Sequence, residues 1–296
     1  MKKLVFVLLA AIAFVACEKE MVEPIETEKS AKKKLELSFD GLSPLGPDFR
    51  YEGWLMVEGM PVSTGKFNIT PSGQMSPRVF NVKKDYVENA TMFVLSIEPQ
   101  PDNDPEPSKT KILAGVFENG MADLSINPVL NTDFSNAEGK YILATPTDDD
   151  GTNEKSGIWF LSLESGSPMA GLTLPTLAEG WIYEGWTVIN GIPVTTGKFM
   201  QPSGEADLFD GYSSQENDGP PFPGEDFLMY APNGLSFPTD ISGGYAVISV
   251  EPYPDNSPEP FAIKPLLVEI PKDAMVHTTY MMDLNPASIP TGMAKK

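Results

Sequence analysis

The chain has 296 residues, with 41 acidic and 21 basic side chains and a formal net charge of −20. This length predicts about two domains, each large enough for its own hydrophobic core. The single histidine and single cysteine exclude a histidine-rich metal site and a disulfide framework. So acidic a chain is not expected to bind nucleic acid, because phosphate backbones carry the same charge.

The first residues have the arrangement of a bacterial lipoprotein signal. Met1-Lys2-Lys3 precedes an apolar run over residues 4–16, and Cys17 follows. As a helix this run would extend ~20 Å, less than the ~30 Å hydrocarbon layer of a membrane, so a spanning helix is the weaker interpretation. The resemblance implies cleavage before Cys17 and lipid attachment to it. An ordinary secreted protein is the alternative.

The segment after the cysteine is dense in Glu and Lys, with few apolar side chains. Such a composition predicts a disordered tether. We therefore predict a signal peptide over 1–16, a lipid-anchored tether over 17–34, and a position in the bacterial cell envelope outside the cytoplasm, with the outer membrane favoured.

Two blocks of the sequence occur twice. Tyr51–Phe67 recurs as Tyr183–Phe199, 132 residues later, and Ser96–Pro107 recurs as Ser249–Pro260, 153 residues later. The second copy therefore carries 21 extra residues between its blocks, within 204–244, and an insertion of this kind predicts a surface loop. The spacing is far longer than a solenoid repeat, so it indicates tandem domains.

Proline and glycine occur too often for long helices and favour short strands joined by turns. We predict an all-β chain with two tandem β-sandwich domains, at 35–165 and 170–288. Period-two alternation predicts that Trp54 and Trp186 point into their cores and that Leu55 lies on the opposite face. The residues to which we assign a structural role are Tyr51, Tyr183, Trp54, Trp186, Glu98 and Glu251.

These repeated blocks resemble the extracytoplasmic, C-terminal domain of anti-sigma-K factors. The resemblance rests on Tyr-Glu-x-Trp, then Gly-x-Pro-Val-x-x-Gly-x-Phe, then a strand ending in Glu-Pro before a proline-rich turn, and it covers 35–126 and 172–284. It implies an all-β domain outside the cytoplasmic membrane. That family adds a transmembrane helix and a cytoplasmic segment that sequesters a sigma factor. We find neither here and expect no direct sigma-factor binding.

Repeated carboxylates are the first candidates for chemistry. Glu52 recurs as Glu184, and Glu98 recurs as Glu251. A pair of carboxylates can hydrolyse glycosidic bonds. Because both copies keep both residues, a structural role is the simpler interpretation, and we predict a protein that is not an enzyme and has no cofactor.

The acidic turn near residue 150 is a weak calcium candidate through Asp148, Asp150, Asn153 and Glu154, whose oxygen atoms suit Ca²⁺. It departs from the EF-hand pattern, because Asn153 stands where that loop has glycine. A solvated turn is the favoured interpretation, so no metal is predicted. His277 has no partner marked by a motif and is interpreted as a surface histidine.

Aromatic residues among the glycines and prolines of the second-copy loop are candidates for ligand binding: Phe209, Tyr212, Phe222 and Phe227. Exposed rings can stack on sugars or anchor a protein partner, although they can equally close the end of a β-sandwich. We predict a binding or sensing module of the envelope whose partner is an unknown envelope protein or a neutral glycan. The alternative is a surface glycan-binding lipoprotein of a nutrient-uptake system.

Overall fold

The computed structural model describes residues 31–201, 211–214, 216–254 and 257–296. The predicted signal peptide, Cys17, most of the tether and Phe209 lie outside this part of the chain. The chain is all-β, as its sequence predicts. In the described ranges, no helix has both the length and the hydropathy to cross a membrane.

The regular secondary structure of the described chain consists mainly of short strands. The strands before residue 130 are β1 (Lys32–Asp40), β2 (Phe49–Val57), β3 (Met60–Ile69), β4 (Met75–Ser76), β5 (Val79–Lys83), β6 (Ala90–Pro99), β7 (Lys111–Val116) and β8 (Met121–Leu124). The strands of the middle are β9 (Glu138–Leu143), β10 (Gly157–Trp159), β11 (Leu161–Ser162), β12 (Met169–Ala170) and β13 (Leu172–Thr173). The later strands are β14 (Trp181–Ile189), β15 (Ile192–Phe199), β16 (Gly224–Asp226), β17 (Tyr245–Pro252), β18 (Leu266–Glu269), β19 (Tyr280–Met281), β20 (Asp283–Leu284) and β21 (Thr291–Lys295).

Helical segments are short. They are α1 (Lys84–Asn89), α2 (Asn127–Leu130) and two 3₁₀ turns, Glu154–Ser156 and Pro286–Ser288. The first two were not predicted from the sequence, because six and four residues are too few to show a helical period.

The repeated blocks form two sheets that share the order and register of four strands and differ in the fifth, which is added at opposite edges. One sheet has the order β4-β3-β2-β6-β7 and the other β15-β14-β17-β18-β20. Tyr51 pairs with Phe67 across β2 and β3, and Tyr183 pairs with Phe199 across β14 and β15. Both pairs of strands also shift register between the central glycine and the tryptophan that follows it. The repeated sequence therefore produces the same pairing and the same bulge twice.

The two hairpin turns are also equivalent. Glu58 and Gly59 have φ angles of 53° and 81°, and Asn190 and Gly191 have φ angles of 52° and 82°. Two consecutive residues with positive φ match the tight turn whose twist suits a two-stranded hairpin, which is why glycine follows asparagine or glutamate here.

Both repeated tryptophans are buried, but Trp54 does not face the main core. Trp54 and Trp186 are each 2% exposed. Leu55, predicted on the opposite face from the core, belongs to the main core, whereas Trp54 packs with Val94 and Ala114 in a separate small cluster. Trp54 and Leu55 lie on opposite faces as predicted, but Leu55 meets the larger core, because both faces of β2 are covered and alternation alone does not show which face that is.

Strands from the two parts of the chain pair with each other. The C-terminal strand β21 lies between β1 and β8, in the sheet β5-β1-β21-β8. The strand β9, in the range of the predicted first domain, lies between β13 and β19 and also pairs with β10. Strand pairing therefore crosses the boundary between the predicted domains 35–165 and 170–288. The strands β9 and β10 fall in the first range but pair with strands of the second. The strand β21 lies beyond both ranges.

A further contact joins the halves at the start of β14. The indole Nε1 of Trp181 donates to the carbonyl oxygen of Lys111 at 3.1 Å, and Thr110 Oγ1 donates to the carbonyl oxygen of Gly180 at 3.2 Å. Trp181 is 2% exposed and its ring lies 5.9 Å from that of Phe261. These bonds tie the loop between β6 and β7 to the second half.

Candidate functional site

The carboxylate of Glu98 holds the loop between β6 and β7 against its sheet. Glu98 is 1% exposed and accepts hydrogen bonds from Ser96 Oγ and, at 2.9 Å, from the backbone N–H of Ser108. Ser96 Oγ in turn accepts from the indole Nε1 of Trp54 at 2.8 Å. The buried tryptophan, serine and glutamate thus form one chain that ends on the loop backbone.

The second copy repeats this chain. Trp186 Nε1 donates to Ser249 Oγ at 2.8 Å, Ser249 Oγ donates to Glu251, and Glu251 accepts from the backbone N–H of Phe261 at 2.9 Å. A buried carboxylate is tolerable when several donors stabilise it. The geometry of Glu98 and Glu251 is therefore that of a loop anchor in both halves.

Glu52 lies at the edge of a charged cluster under the same loop. Its carboxylate is buried, accepts from Ser63 Oγ and lies 3.6 Å from Lys66 Nζ, which also contacts Asp102 Oδ2 at 2.8 Å. Burial raises the pKa of Glu52, and Ser63 and Lys66 oppose that effect. The hydrogen bond from Lys66 lowers the pKa of Asp102. These contacts tie Asp102, at the start of the loop, to β3.

Glu184 occupies the equivalent place in the second half. It accepts from Thr195 Oγ1 at 2.5 Å and lies 3.8 Å from Lys198 Nζ. Glycoside hydrolysis needs an acid and a nucleophile or base that flank an accessible sugar. In both copies the carboxylates are instead buried against their own sheet and engaged by their own chain.

A third pair of buried acids was missed by the sequence reading. Glu225 and Asp226, on β16, are both 0% exposed. Asp226 accepts from Trp159 Nε1 at 2.7 Å and from the N–H of Thr147 at 2.8 Å, and Glu225 accepts from Ser213 Oγ at 2.7 Å. Burial raises the pKa of Asp226. Neither acid belongs to a repeated block, so comparing the copies could not single them out.

The aromatic residues of the second-copy loop do not form an exposed binding platform. Phe227 is fully buried in the main core, and its ring lies 5.4 Å from that of Phe237. Tyr212 is half-buried and meets Phe237 edge-on at 5.5 Å, while Phe222 packs on the small cluster around Trp159. The prediction of exposed rings at these three positions was wrong, because this loop contributes β16 to a sheet and its aromatic residues close the core beside it. Phe209 lies outside the described residues.

The acidic turn satisfies its polar atoms internally. Asn153 Nδ2 donates to Asp148 Oδ2 at 2.7 Å, and Asp150 Oδ1 accepts from the N–H of Thr152 at 3.0 Å. Glu154 accepts from the N–H of Thr145 at 3.0 Å. In the part of the chain that the structure describes, no three His, Cys, Asp or Glu side chains come together as a metal site. The candidate calcium ligands are thus engaged as turn-forming groups.

His277 lies beside this turn. Its Nε2 is 3.3 Å from Glu154 Oε2, its side chain is 54% exposed, and its φ angle is 54°. A positive φ at a residue other than glycine is uncommon, and here the N–H of His277 donates to the carbonyl oxygen of Leu143 on β9 at 3.0 Å. These contacts place His277 at the surface, where the sequence predicted it.

A surface cleft of about 170 Å³ lies beside the β14–β15 hairpin. Its polar side chains are Asn190, Asp240 and Ser242, and Tyr245 lies at its edge with 41% of its surface exposed. An exposed ring beside an amide and a carboxylate can stack on a sugar and bond its hydroxyls. The sequence singled out neither Tyr245 nor Asp240, because only the fold brings the two residues to one cleft.

No protein-family description, curated protein or solved structure matches this chain.

Proposed function

We propose that the protein is a non-enzymatic, lipid-anchored component of the bacterial cell envelope that binds or senses an envelope partner. In this proposal Cys17 carries the lipid, and two β-sandwich domains related to the extracytoplasmic domain of anti-sigma-K factors form the body. No direct contact with a sigma factor is included.

The proposal rests on the hydrogen bonds that the buried acids accept. Glu98 and Glu251 each accept a backbone N–H from a loop and a hydroxyl from the neighbouring strand. Acids used in this way hold loops in fixed positions, as a binding scaffold requires, and are not presented to a substrate.

The anchor is tested by metabolic labelling with radioactive palmitate in cells that express the wild-type chain or Cys17→Ala. We expect label and membrane association in the wild-type protein and neither in the variant. Unlabelled wild-type protein, or equal label in both, would contradict the proposed anchor.

The partner is tested by chemical crosslinking in intact cells, followed by purification from detergent-solubilised envelopes. We expect an envelope protein to be crosslinked to the wild-type chain. The crosslink should disappear when exposed residues on the surface of this chain that binds the partner are replaced. Hydrolytic activity of the purified chain that disappears in Glu98→Gln, with folding retained, would contradict a non-enzymatic role.

A second candidate, a neutral-glycan binder of a nutrient-uptake system, is favoured by the cleft around Tyr245. Calorimetric titration with neutral oligosaccharides would test it with Tyr245→Ala. Tyr253→Ala is the matched control, because Tyr253 is 53% exposed and lies just beyond the other end of β17. We expect affinity to fall at least about tenfold in Tyr245→Ala alone, since stacking on an aromatic ring is a main contact in such sites. Equal losses in both variants would exclude this cleft as the site.

A further inference from the structure

Lysines are concentrated at one end of this acidic protein, which we call the basic end. It comprises the start of β1, the junction of β5 with α1, and the end of β21, with the lysines Lys32, Lys33, Lys34, Lys83, Lys84, Lys295 and Lys296. Strand pairing brings the three segments together, because Lys32 pairs with Lys83 and Glu36 pairs with Lys295.

The charge of the basic end is opposite to that of the whole chain. Its seven lysines are accompanied by Glu36, Asp85, Glu88 and, in the turn beside Lys296, Glu118, which leaves a formal charge of +3, whereas the chain carries −20. The rest of the chain therefore carries −23. The negative charge of the whole chain predicts repulsion from anionic surfaces, but the positive charge of the basic end predicts attraction there.

Several of these lysines point to solvent from the outer face of the sheet. Leu35 and Leu37 of β1 are buried, and Lys32, Lys34 and Glu36 between and before them are exposed. Lys83 and Lys295, the strand partners of Lys32 and Glu36, are exposed as well. Like charges directly opposite each other, as in the pair of Lys32 with Lys83, are destabilising unless an anion lies nearby.

The remaining lysines line the edge of the same end. Lys33 Nζ lies 3.5 Å from Glu88 Oε1, and Lys296 Nζ donates to the carbonyl oxygen of Ala90 at 2.5 Å. Burial and the neighbouring charge of Lys33 lower the pKa of Lys296. Glu88 therefore offsets only part of the positive charge here.

The chain reaches the predicted anchor from the basic end. Lys84 donates its backbone N–H to the carbonyl oxygen of Ala31, where the described chain begins, at 2.8 Å. The residues between Cys17 and Ala31 can span at most ~50 Å and average ~20 Å, so a lipid on Cys17 would hold this end closest to the membrane.

We propose that the basic end docks on anionic phospholipid headgroups and turns the acidic body away from the membrane. This inference rests on the proposed lipid anchor. A lipid on Cys17 holds the chain at the membrane without deciding which face of the protein meets it, and a basic patch supplies the attraction that orients the protein.

Sedimentation with phospholipid vesicles tests the basic end without the anchor. The protein would be the chain from Glu18 to Lys296, which keeps every described residue but lacks Cys17. We expect it to bind vesicles of equal parts phosphatidylcholine and phosphatidylglycerol at low salt and not to bind phosphatidylcholine alone. Binding should weaken as salt screens the charges.

Charge reversal at three exposed lysines of the basic end, in the triple variant Lys32→Glu, Lys34→Glu, Lys83→Glu, should weaken that binding more than about tenfold. The matched control reverses Lys109, Lys155 and Lys272, which changes the net charge equally but lies outside the basic end. Circular dichroism spectra like that of the wild-type chain would establish that both variants are folded.

No binding of the wild-type chain at low salt, or equal weakening in the two triple variants, would overturn the docking proposal. Because the vesicle assay omits the lipid, its failure leaves palmitate labelling at Cys17 unaffected. A labelled but non-docking protein would therefore refute this inference alone.

Discussion

Phe49 and Trp181 hold the same position in the two repeated sheets, yet one is a surface residue and the other is core. Phe49 opens β2 opposite Pro99 and is 36% exposed, whereas Trp181 opens β14 opposite Pro252 and is 2% exposed. The difference comes from Lys111 of the first half, whose carbonyl oxygen accepts from the indole of Trp181. Identical strand register therefore does not determine burial, because neighbours from the other half decide it.

The inserted loop shows a second difference between the halves. In the second half it supplies β16, which pairs with β10 and brings two buried acids and Phe227 into the structure. The first repeat has no counterpart of these 21 residues. The two halves thus share their repeated sheets and differ in what covers them.

The largest expected effect separates the two equivalent aromatic positions. Trp181→Ala should lower the free energy of unfolding by about 4 kcal/mol, because it leaves a cavity and an unpaired carbonyl oxygen between the halves. Phe49→Ala should cost less than about 1 kcal/mol, because that ring is partly in water already. Urea denaturation of both variants measures the contrast. Similar losses would mean that the two positions are equally buried.

The next largest loss of stability is expected in the C-terminal strand β21, which pairs with β1 and β8. Ala294 is 0% exposed between β1 and β8, whereas its neighbour Met293 is 40% exposed. Ala294→Asp should destabilise the protein by about 3 kcal/mol, because it buries a carboxylate without a partner. Met293→Lys, one residue away, should change stability by less than about 0.5 kcal/mol, because this exposed side chain would face Asp123 across β8. Equal effects of the two substitutions would show that β21 is not inserted in that sheet.

The hydrogen bonds of the Trp54 and Trp186 indoles test whether the two copies of this network contribute equally to stability. Trp54→Phe and Trp186→Phe each remove an indole N–H that donates to a buried serine hydroxyl at 2.8 Å. Each should cost about 1–2 kcal/mol, and the two losses should agree closely. Thermal or urea unfolding would measure them. A loss in only one variant would show that the networks differ in strength between the halves.

The smallest expected effect concerns the pH dependence of Asp102. The hydrogen bond from Lys66 lowers the pKa of Asp102, so the folded state prefers the ionised carboxylate. Its contribution is therefore present at neutral pH and is lost as the pH falls through the pKa of the folded state. Asp102→Asn should cost less than about 1 kcal/mol at pH 7, because Lys66 is partly exposed, and nothing once the carboxyl is protonated.

Urea unfolding from neutral pH down to the pH at which Asp102 is protonated would measure the change in the free energy of unfolding caused by Asp102→Asn. Asp123→Asn on β8 serves as an exposed control. A cost for Asp102→Asn that grew as the pH fell would reverse the sign and contradict the ion pair.

Much of the repeated sheets was predictable from the sequence. Gly59 and Gly191 permit the positive φ angles of the two hairpin turns, and Tyr51 and Tyr183 occupy equivalent register positions, because turn chemistry and strand register are set by residues close in sequence. The burial of Phe227 and the contacts of Asp226 were not predictable, because they depend on partners about 70 residues away.

The sequence by itself determined that this chain is all-β, where it duplicates and where its hairpins turn, since these properties follow from local periodicity and the φ preferences of glycine. Only the tertiary structure decided that β9 and β21 pair with strands of the other half, that Trp54 lies on the face of β2 away from the main core, and that lysines from both ends of the described chain gather at one end. Those outcomes depend on which distant strands share hydrogen bonds and apolar surface, and no short stretch of sequence contains that information.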